Sequence, residues 1–595
     1  MLDDLQLDQI ADPQLREVIR RLMNLVEQLS AENQQLREEN QRLRDENNRL
    51  KGEQGQPTFP KARPKPTDHS SEAERRVPRG RVKRAKNETI PIDREETREV
   101  DRDLLPPDAE FKGYEEVIVQ DVAVHTDNVR FSKEKWYSPS QQRTYLADLP
   151  TGYDGQFGPT LKALIGIWYV ASQMTEPKIA EFLHHLGIQI SEGQISNLRI
   201  KQQDERHAEK DAIAEAAIAA SPWQQTDDTA TRVNGKAHHC HVISNPLASV
   251  YYTLPGKDRL SVLDALRNER PRTYRLNTEA DAYLDRMALS AGVRRNLVHL
   301  PHDIVRDETT MTALLAQHVA NAGPRQQTWI REAMTVAAYH AEVEFPVIRL
   351  LLCDDAPQFV GLTEELARCW VHDGRFYKKL RPRFGVHLTA LTTFERDDWA
   401  FYHELLAYRQ QPTAAERVRL GTAFDTLFAR VTGYDDLDAR IAKTQAKKEA
   451  LLLVLVHPEI PLHNNASELA CRARVRKRDV SNGPRTAEGA KAWDTGMTIV
   501  ETAKKLGVSF YAYIHDRISG AMQLPALADL ITERAKMLNL GASWAELDLP
   551  PTYWAVVLVK SQFPQLLNFL LKIIGFRKHV LFPIWRKEYH WAFLN

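Results

Sequence analysis

Leucine returns at every seventh position, from Leu15 through Leu22, Leu29, Leu36 and Leu43 to Leu50. Taking these as the d positions of a heptad puts Ile19, Val26, Asn33, Asn40 and Asn47 at a. Leucine at d, with β-branched residues and then asparagines at a, predicts a parallel two-stranded coiled coil over residues 12 to 52. Glu32, Glu39 and Glu46 at g stand five residues before Arg37, Arg44 and Lys51 at e, so each glutamate would meet a basic residue of the other strand. So narrow an apolar stripe needs a second helix to cover it. A homodimer is expected.

The heptads stop at Gly52. Residues 53 to 110 are rich in proline and charge and poor in aromatics, the composition of a disordered linker. Within them "RRVPRGRVKRAK" (75 to 86) is basic and "DREETREVDRD" (93 to 103) acidic. Arg81, Lys83 and Arg84 of the basic run could neutralise phosphates without reading bases, a solvated linker being the plain alternative. Alternation in "EEVIVQDVAVHTDNVRF" predicts strands of a small β module over 111 to 150. Helices follow over 151 to 215. "TEPKIAEFLHHLGIQISEGQISNLRIKQ" reads as helix, turn at Gly187 and second helix capped by Ser191, with Ile179, Leu183, Leu186, Ile190, Ile195 and Leu198 as its core. In such a helix-turn-helix Gln194, Asn197, Arg199 and Lys201 would face outward, toward base edges or phosphates, although many helical pairs of this form touch no DNA.

Beyond residue 216 the period changes to two. "WQQTDDTATRVNG", "KAHHCHVISN" and "ASVYYTLPG" predict a three-stranded meander. A helical stretch from about 257 to 343 separates it from "FPVIRLLLCDDAP", an apolar run typical of a strand buried on both faces. "ELARCWVHDGRF" is the next strand or helix, and 385 to 455 are again helical. The core is expected over 216 to 520 and a C-terminal helical tail over 521 to 595. The apolar part of that tail reads as a packing helix, with a partner surface or an interfacial membrane segment as alternatives, and its Lys, Pro and Gly interruptions argue against a span. The fold class is multidomain α+β.

A chain of 595 residues is too long for one core. Lys+Arg and Asp+Glu both number 80, so any nucleic-acid surface must be local. Cys240, Cys353, Cys369 and Cys471 are scattered without a C-x-x-C pair, which fits a reducing compartment. "MLDDLQLDQIADPQ" has no secretory core, and no run reaches the roughly 18 apolar residues of a spanning helix. A cytoplasmic protein without a membrane partner is expected. "HHCH" (238 to 241) has the look of a metal cluster, but on a strand its side chains alternate between faces.

Working residues in open sheets collect at strand ends. Asp227 or Asp228 ends one strand and Asp354 or Asp355 another, while Glu468 opens a helix followed by Arg472, Arg476 and Lys477. Three convergent carboxylates suit Mg²⁺, with Mn²⁺ as an alternative, and two such ions support in-line phosphoryl displacement. The basic residues after Glu468 would hold a DNA backbone. A plainer reading makes Asn465 and Glu468 a capping box and the aspartates turn formers.

The ordered set "TDDTATRVNG", "LLLCDDAPQF", "CWVHDGRF", "LHNNASELACR" and "GMTIVETAKKLGVSFYAYIHD" resembles the RNase-H-like DDE transposases of bacterial insertion sequences, most closely the insertion sequence sixty-six family. The resemblance covers about residues 150 to 520 and the coiled coil. It implies an RNase-H-like mixed-sheet catalytic core with helical insertions, behind an N-terminal coiled coil and helix-turn-helix. It implies Asp227, Asp354 and Glu468 as catalytic metal ligands, two ions per site, and His372, of the C-x-x-H element, as a support. The partners implied are transposon terminal inverted repeats and target DNA, in a bacterial, nucleoid-associated setting. His463 departs from the family's D-N-N, and the helical insertion before Asp354 departs from a simple core. The rivals are a non-catalytic dimeric DNA-binding protein and an RNase-H-like nuclease without strand transfer.

Overall fold

The computed structural model describes residues 10 to 51, 90 to 153 and 155 to 547. Its centre is a five-stranded sheet in the order β5 (Ser249–Leu254), β4 (Lys236–Ser244), β3 (Trp223–Val233), β8 (Leu350–Cys353) and β9 (Glu365–Arg368). Strands β3, β4 and β5 form the meander, each pair antiparallel. Asn234 and Gly235 both hold positive φ in the two-residue turn between β3 and β4, where asparagine-glycine matches the twist of a hairpin. Asn245 makes the next turn, its Oδ1 accepting from Leu247 N (2.8 Å) and Ala248 N (2.9 Å).

The apolar run at 350 folds as β8 (Leu350–Cys353), all four residues buried, parallel to β3 on one side and to β9 (Glu365–Arg368) on the other. "ELARCWVHDGRF" is therefore both strand and helix, since Trp370–Tyr377 is helical. The open edge of β5 is covered by the helix Ala487–Lys505. Its Thr502 and Thr498 hydroxyls and Asp494 carboxylate accept from the backbone N–H of Ser249, Tyr251 and Thr253, at 3.4, 3.2 and 2.6 Å. Residues four apart on one helix face thus meet alternate donors of one strand and satisfy an edge that would otherwise invite pairing.

One helical block interrupts the sheet and a second follows its last strand. Between β5 and β8 the helices from Arg259–Leu266 to Pro324–His340 enclose their own core, which includes Tyr274, Leu284, Met311 and Met334, around a short pair of β6 (Tyr274–Arg275) and β7 (Val305–Arg306). Between β9 and the Glu468 helix, Gly385–Gln410 and Ala414–Phe428 pack Phe394, Phe401, Phe424 and Phe428 around one another, with Trp370 against three of them.

Pro13–Leu50 is one long helix. Met23, Asn24 and Glu27 on it are buried, while the heptad leucines are 49 to 79% exposed. Asn24 bonds Gly433 O and accepts from Asp435 N; Glu27 accepts from Arg383 N (2.7 Å), Phe384 N (3.2 Å) and His387 Nδ1 (3.2 Å). Of the buried residues, Asn24 and Glu27, at f and b of the heptad, lie on the face away from the leucine stripe, while Met23 at e flanks it. Glu27 serves as a cap for the helix Gly385–Gln410, whose first turn has no local side-chain cap.

The β module expected over 111 to 150 reduces to one hairpin, β1 (Lys135–Ser138) with β2 (Arg143–Leu146). Val117, Val119, Val122 and Val124 alternate in sequence but are exposed, because no neighbouring strand offers them hydrogen bonds or a buried face. The described part of the linker forms only a 3₁₀ turn at Arg102–Leu104. A second unit begins at Gly541, with a helix at Ala542–Leu547; the apolar tail beyond it lies outside the described residues. Among the described residues no helix is long and apolar enough to cross a membrane.

Candidate functional site

Strand β3 pairs with β8 only as far as Gln225↔Leu352, and β8 with β9 as far as Cys353↔Arg368. Extending both registers places Asp227, Asp354 and Cys369 in one row across the sheet, and a bond from Cys369 N to Cys353 O (3.0 Å) carries the β8–β9 ladder to that row. The parallel pairing ends there because β8 and β9 stop, which leaves side chains space above the sheet. Asp227 and Asp228, expected to end a strand, lie instead within β3, which continues to Val233 on its antiparallel pairing with β4. Asp354 Oδ1 accepts from Ala356 N at 3.1 Å and turns the chain away; Asp227 Oδ1 accepts from Asp228 N at 2.9 Å.

Glu468 arrives from the helix Asn465–Ser481, seated on β3 by Ala466 N to Gln225 Oε1 (3.1 Å) and Asn464 Nδ2 to Thr226 O (3.4 Å). The capping-box reading of Asn465 and Glu468 is overturned. Asn464 is the N-cap and makes no side-chain cap bond, and the Glu468 carboxylate instead faces His372, Arg375 and Arg472. Its Oε1 is buried and without a hydrogen-bond partner, at 3.7 Å from His372 Nε2. Its Oε2 faces Arg375 at 3.5 Å and Arg472 at 3.7 Å.

Burial, followed by the nearby charges of Glu468, Asp228 and Asp354, pushes the Asp227 carboxyl up to about 7, against the lowering effect of the Asp228 N–H. The structure therefore brings Asp354 and Glu468 within electrostatic reach of Asp227. The neighbouring acids are engaged elsewhere. Asp228 pairs with His239 at 3.2 Å, and Asp355 pairs with Lys447 and, at 3.8 Å, with Arg368. Crowded oxygens and an orphaned buried carboxylate atom are a donor set that fits a hard divalent cation. Burial lowers the His372 pKa and keeps the imidazole neutral beside Glu468; its Nε2 lies 3.0 Å from Arg375. Cys369, His372 and Glu468 each offer a ligand atom within 4.8 Å of the others. Sequence reasoning passed over Cys369 and Arg375, though both belong to "CWVHDGRF". The "HHCH" residues split as a strand requires: His239 meets Asp228, His241 bonds Gly256 O at 2.9 Å, and Cys240 enters the core.

The basic residues separate into two groups. Arg472 and Arg476 are exposed on the Glu468 helix. Lys477, expected to hold DNA, is buried: its Nζ bonds Tyr169 O (2.6 Å) and Met174 O (3.3 Å) and sits 3.3 Å from the Tyr169 ring centroid. Burial, then the charge of Arg199, lowers its pKa to about 7. Four residues after Ala473, it lies on the helix face that meets the protein.

The helix pair Glu176–His185 and Glu192–Ile200 forms as expected, with Gly187 at φ +80° and Ser191 Oγ accepting from Gln194 N at 3.2 Å. Arg199, expected to face outward, instead pairs with Glu176 at 2.8 Å and lies over Tyr169 at 3.1 Å. Gln194, Asn197 and Lys201 line an open groove of about 1210 Å³ with Arg206 and Arg517. Arg81, Lys83 and Arg84 lie outside the described residues.

Residues 356 to 492, from just after Asp354 to the helix that covers β5, match the model of the family described as Transposase IS66 family. An uncharacterized protein of Sinorhizobium fredii, y4jO, is 32% identical over 332 residues, an alignment that takes in 54% of this chain and 99% of the relative. With the family model spanning His372 and Glu468 and the relative matched almost end to end, the chain belongs to the IS66 transposase family.

Proposed function

We propose that this protein is a metal-dependent DNA transposase that binds the terminal inverted repeats of an insertion sequence, hydrolyses a phosphodiester there and joins the freed 3′-hydroxyl to target DNA. The observation that carries the reading is the convergence of Asp227 from within β3, Asp354 from the end of β8 and Glu468 from a helix. The sheet order, three antiparallel strands followed by two parallel ones, supports an RNase-H-like core. Asp227, Asp354 and Glu468 would hold Mg²⁺ or Mn²⁺, two ions per site. When bound, such ions lower the pKa of the attacking water or hydroxyl and neutralise the leaving oxygen.

The chain's own groups do the rest. Arg375 and Arg472 flank Glu468 and hold the DNA phosphates that the carboxylates would otherwise repel. His372 keeps a neutral ring beside Glu468 and orients it. Gln194, Asn197 and Lys201 of the second helix of a helix-turn-helix face the groove and take base edges or phosphates. Dimerisation through a parallel coiled coil is supported by the exposed leucine stripe, since the opposite face of the same helix is already docked on the chain itself.

Glu468→Gln tests the reading. It keeps shape and removes one metal-binding charge, so Mg²⁺-dependent nicking of a transposon end should fall by several kcal/mol of transition-state stabilisation, on the order of a thousandfold. Binding of the same DNA should stay within a few-fold. Undiminished nicking by the variant removes Glu468 from the site, and joining of a pre-cut end separates a transposase from a simple nuclease.

A further inference from the structure

Cys369 caps the helix Trp370–Tyr377 and His372 stands one turn along it, so the C-x-x-H spacing turns thiol and imidazole to one side. Cys369 also occupies the sheet row of Asp227 and Asp354, and Glu468 comes down on the same point. One ligand atom from each of Cys369, His372 and Glu468 lies within 4.8 Å of the other two. Glu468 Oε1, buried there, has no hydrogen-bond partner. An orphaned atom of this kind calls for a partner that the protein itself does not provide.

The donor set differs from that of the three carboxylates. Sulfur, nitrogen and one oxygen suit a borderline-soft ion that accepts three protein ligands and leaves a fourth position open, whereas Mg²⁺ takes oxygen. We propose that Cys369, His372 and Glu468 form a second metal site that takes Zn²⁺ and that, by engaging Glu468, excludes the oxygen-ligated ions. The exclusion rests on the proposed catalytic role of Glu468; the Zn²⁺ site itself does not. Binding transfers the Cys369 thiol proton to solvent, so that thiolate, neutral imidazole and carboxylate are the ligands. Occupation would hold the enzyme inactive until Zn²⁺ is withdrawn.

The full chain titrated with Co²⁺, as a spectroscopic stand-in, tests the site without DNA or activity. One equivalent should give a thiolate-to-metal charge-transfer band, displaced by Zn²⁺. The band should persist in Cys471→Ser, whose thiol lies beside Asp227. It should vanish in Cys369→Ser, with Zn²⁺ affinity lowered by roughly a hundredfold, as loss of one ligand in a thiolate site implies. His372→Gln should lower affinity similarly while keeping the sulfur band at higher Co²⁺, which guards against a Cys369 variant that fails to fold. No band in the parent chain, or a band lost in Cys471→Ser and kept in Cys369→Ser, overturns the proposal. Stoichiometric Zn²⁺ should also block Mg²⁺-dependent nicking in the parent chain; if Zn²⁺ binds as described and nicking is unaffected, the exclusion fails while the site stands.

Discussion

Replacing Asp227 by asparagine removes the most heavily penalised charge of the acid pocket. Raising that carboxyl from 3.8 to about 7 costs the ionised native state about 4 kcal/mol, at about 1.4 kcal/mol per tenfold change in proton affinity. The sign follows from proton counting. Between about pH 4 and 7 the native protein holds a proton that the unfolded chain has released, so stability falls as pH rises through that interval and levels off above it. Asparagine keeps an oxygen for Asp228 N and carries no charge. In the absence of metal at pH 8, Asp227→Asn should therefore be more stable than the parent by up to about 4 kcal/mol, which for a domain of this size is roughly 5 to 10 °C in Tm. By pH 4 the gap should shrink below about 1 kcal/mol. Added Mg²⁺ should raise the Tm of the parent and not that of the variant. Thermal unfolding across pH and Mg²⁺ concentration measures all three. A metal-free variant no more stable than the parent at pH 8 would refute the argument that burial, together with the neighbouring carboxylates, penalises the ionised Asp227.

Lys477→Met should cost about 1 to 3 kcal/mol of stability, because Tyr169 O and Met174 O lose their donor, and leave the salt dependence of DNA binding unchanged. Arg472→Ala should do the reverse, lowering the salt slope by about 1 with little change in Tm; an exchange of these two outcomes would reverse the assignment. Arg199→Ala should lower the Tm through loss of the Glu176 pair and the Tyr169 contact, by about 1 to 2 kcal/mol, with DNA affinity per folded molecule unchanged. Glu27→Ala should cost about 1 to 3 kcal/mol and speed amide exchange at residues 383 to 387 without altering the oligomeric state; monomerisation would mean that this face, and not the leucine stripe, joins the subunits.

What the residues determine by themselves are the features that repeat or that need one residue type. The seven-residue leucines commit Pro13–Leu50 to a helix, Asn234-Gly235 commits the β3–β4 hairpin, and Gly187 with Ser191 commits the helix pair, because each depends on local backbone geometry. Alternation alone was not enough at 117 to 124, where no strand stands alongside. Burial of cations was also beyond local reading. Lys477 and Arg199 have the composition of a DNA-facing surface, and only the packing of Tyr169 between them turns both inward. The same holds for Glu468, which local spacing assigned to a cap. Its place among the acids depends on β8 inserting beside β3 after 116 intervening residues (234 to 349), a long-range pairing that brings Asp227, Asp354 and Cys369 into one row. Register between distant strands is a property of the assembled sheet, since hydrogen bonding and burial across strands select it and no local propensity encodes it.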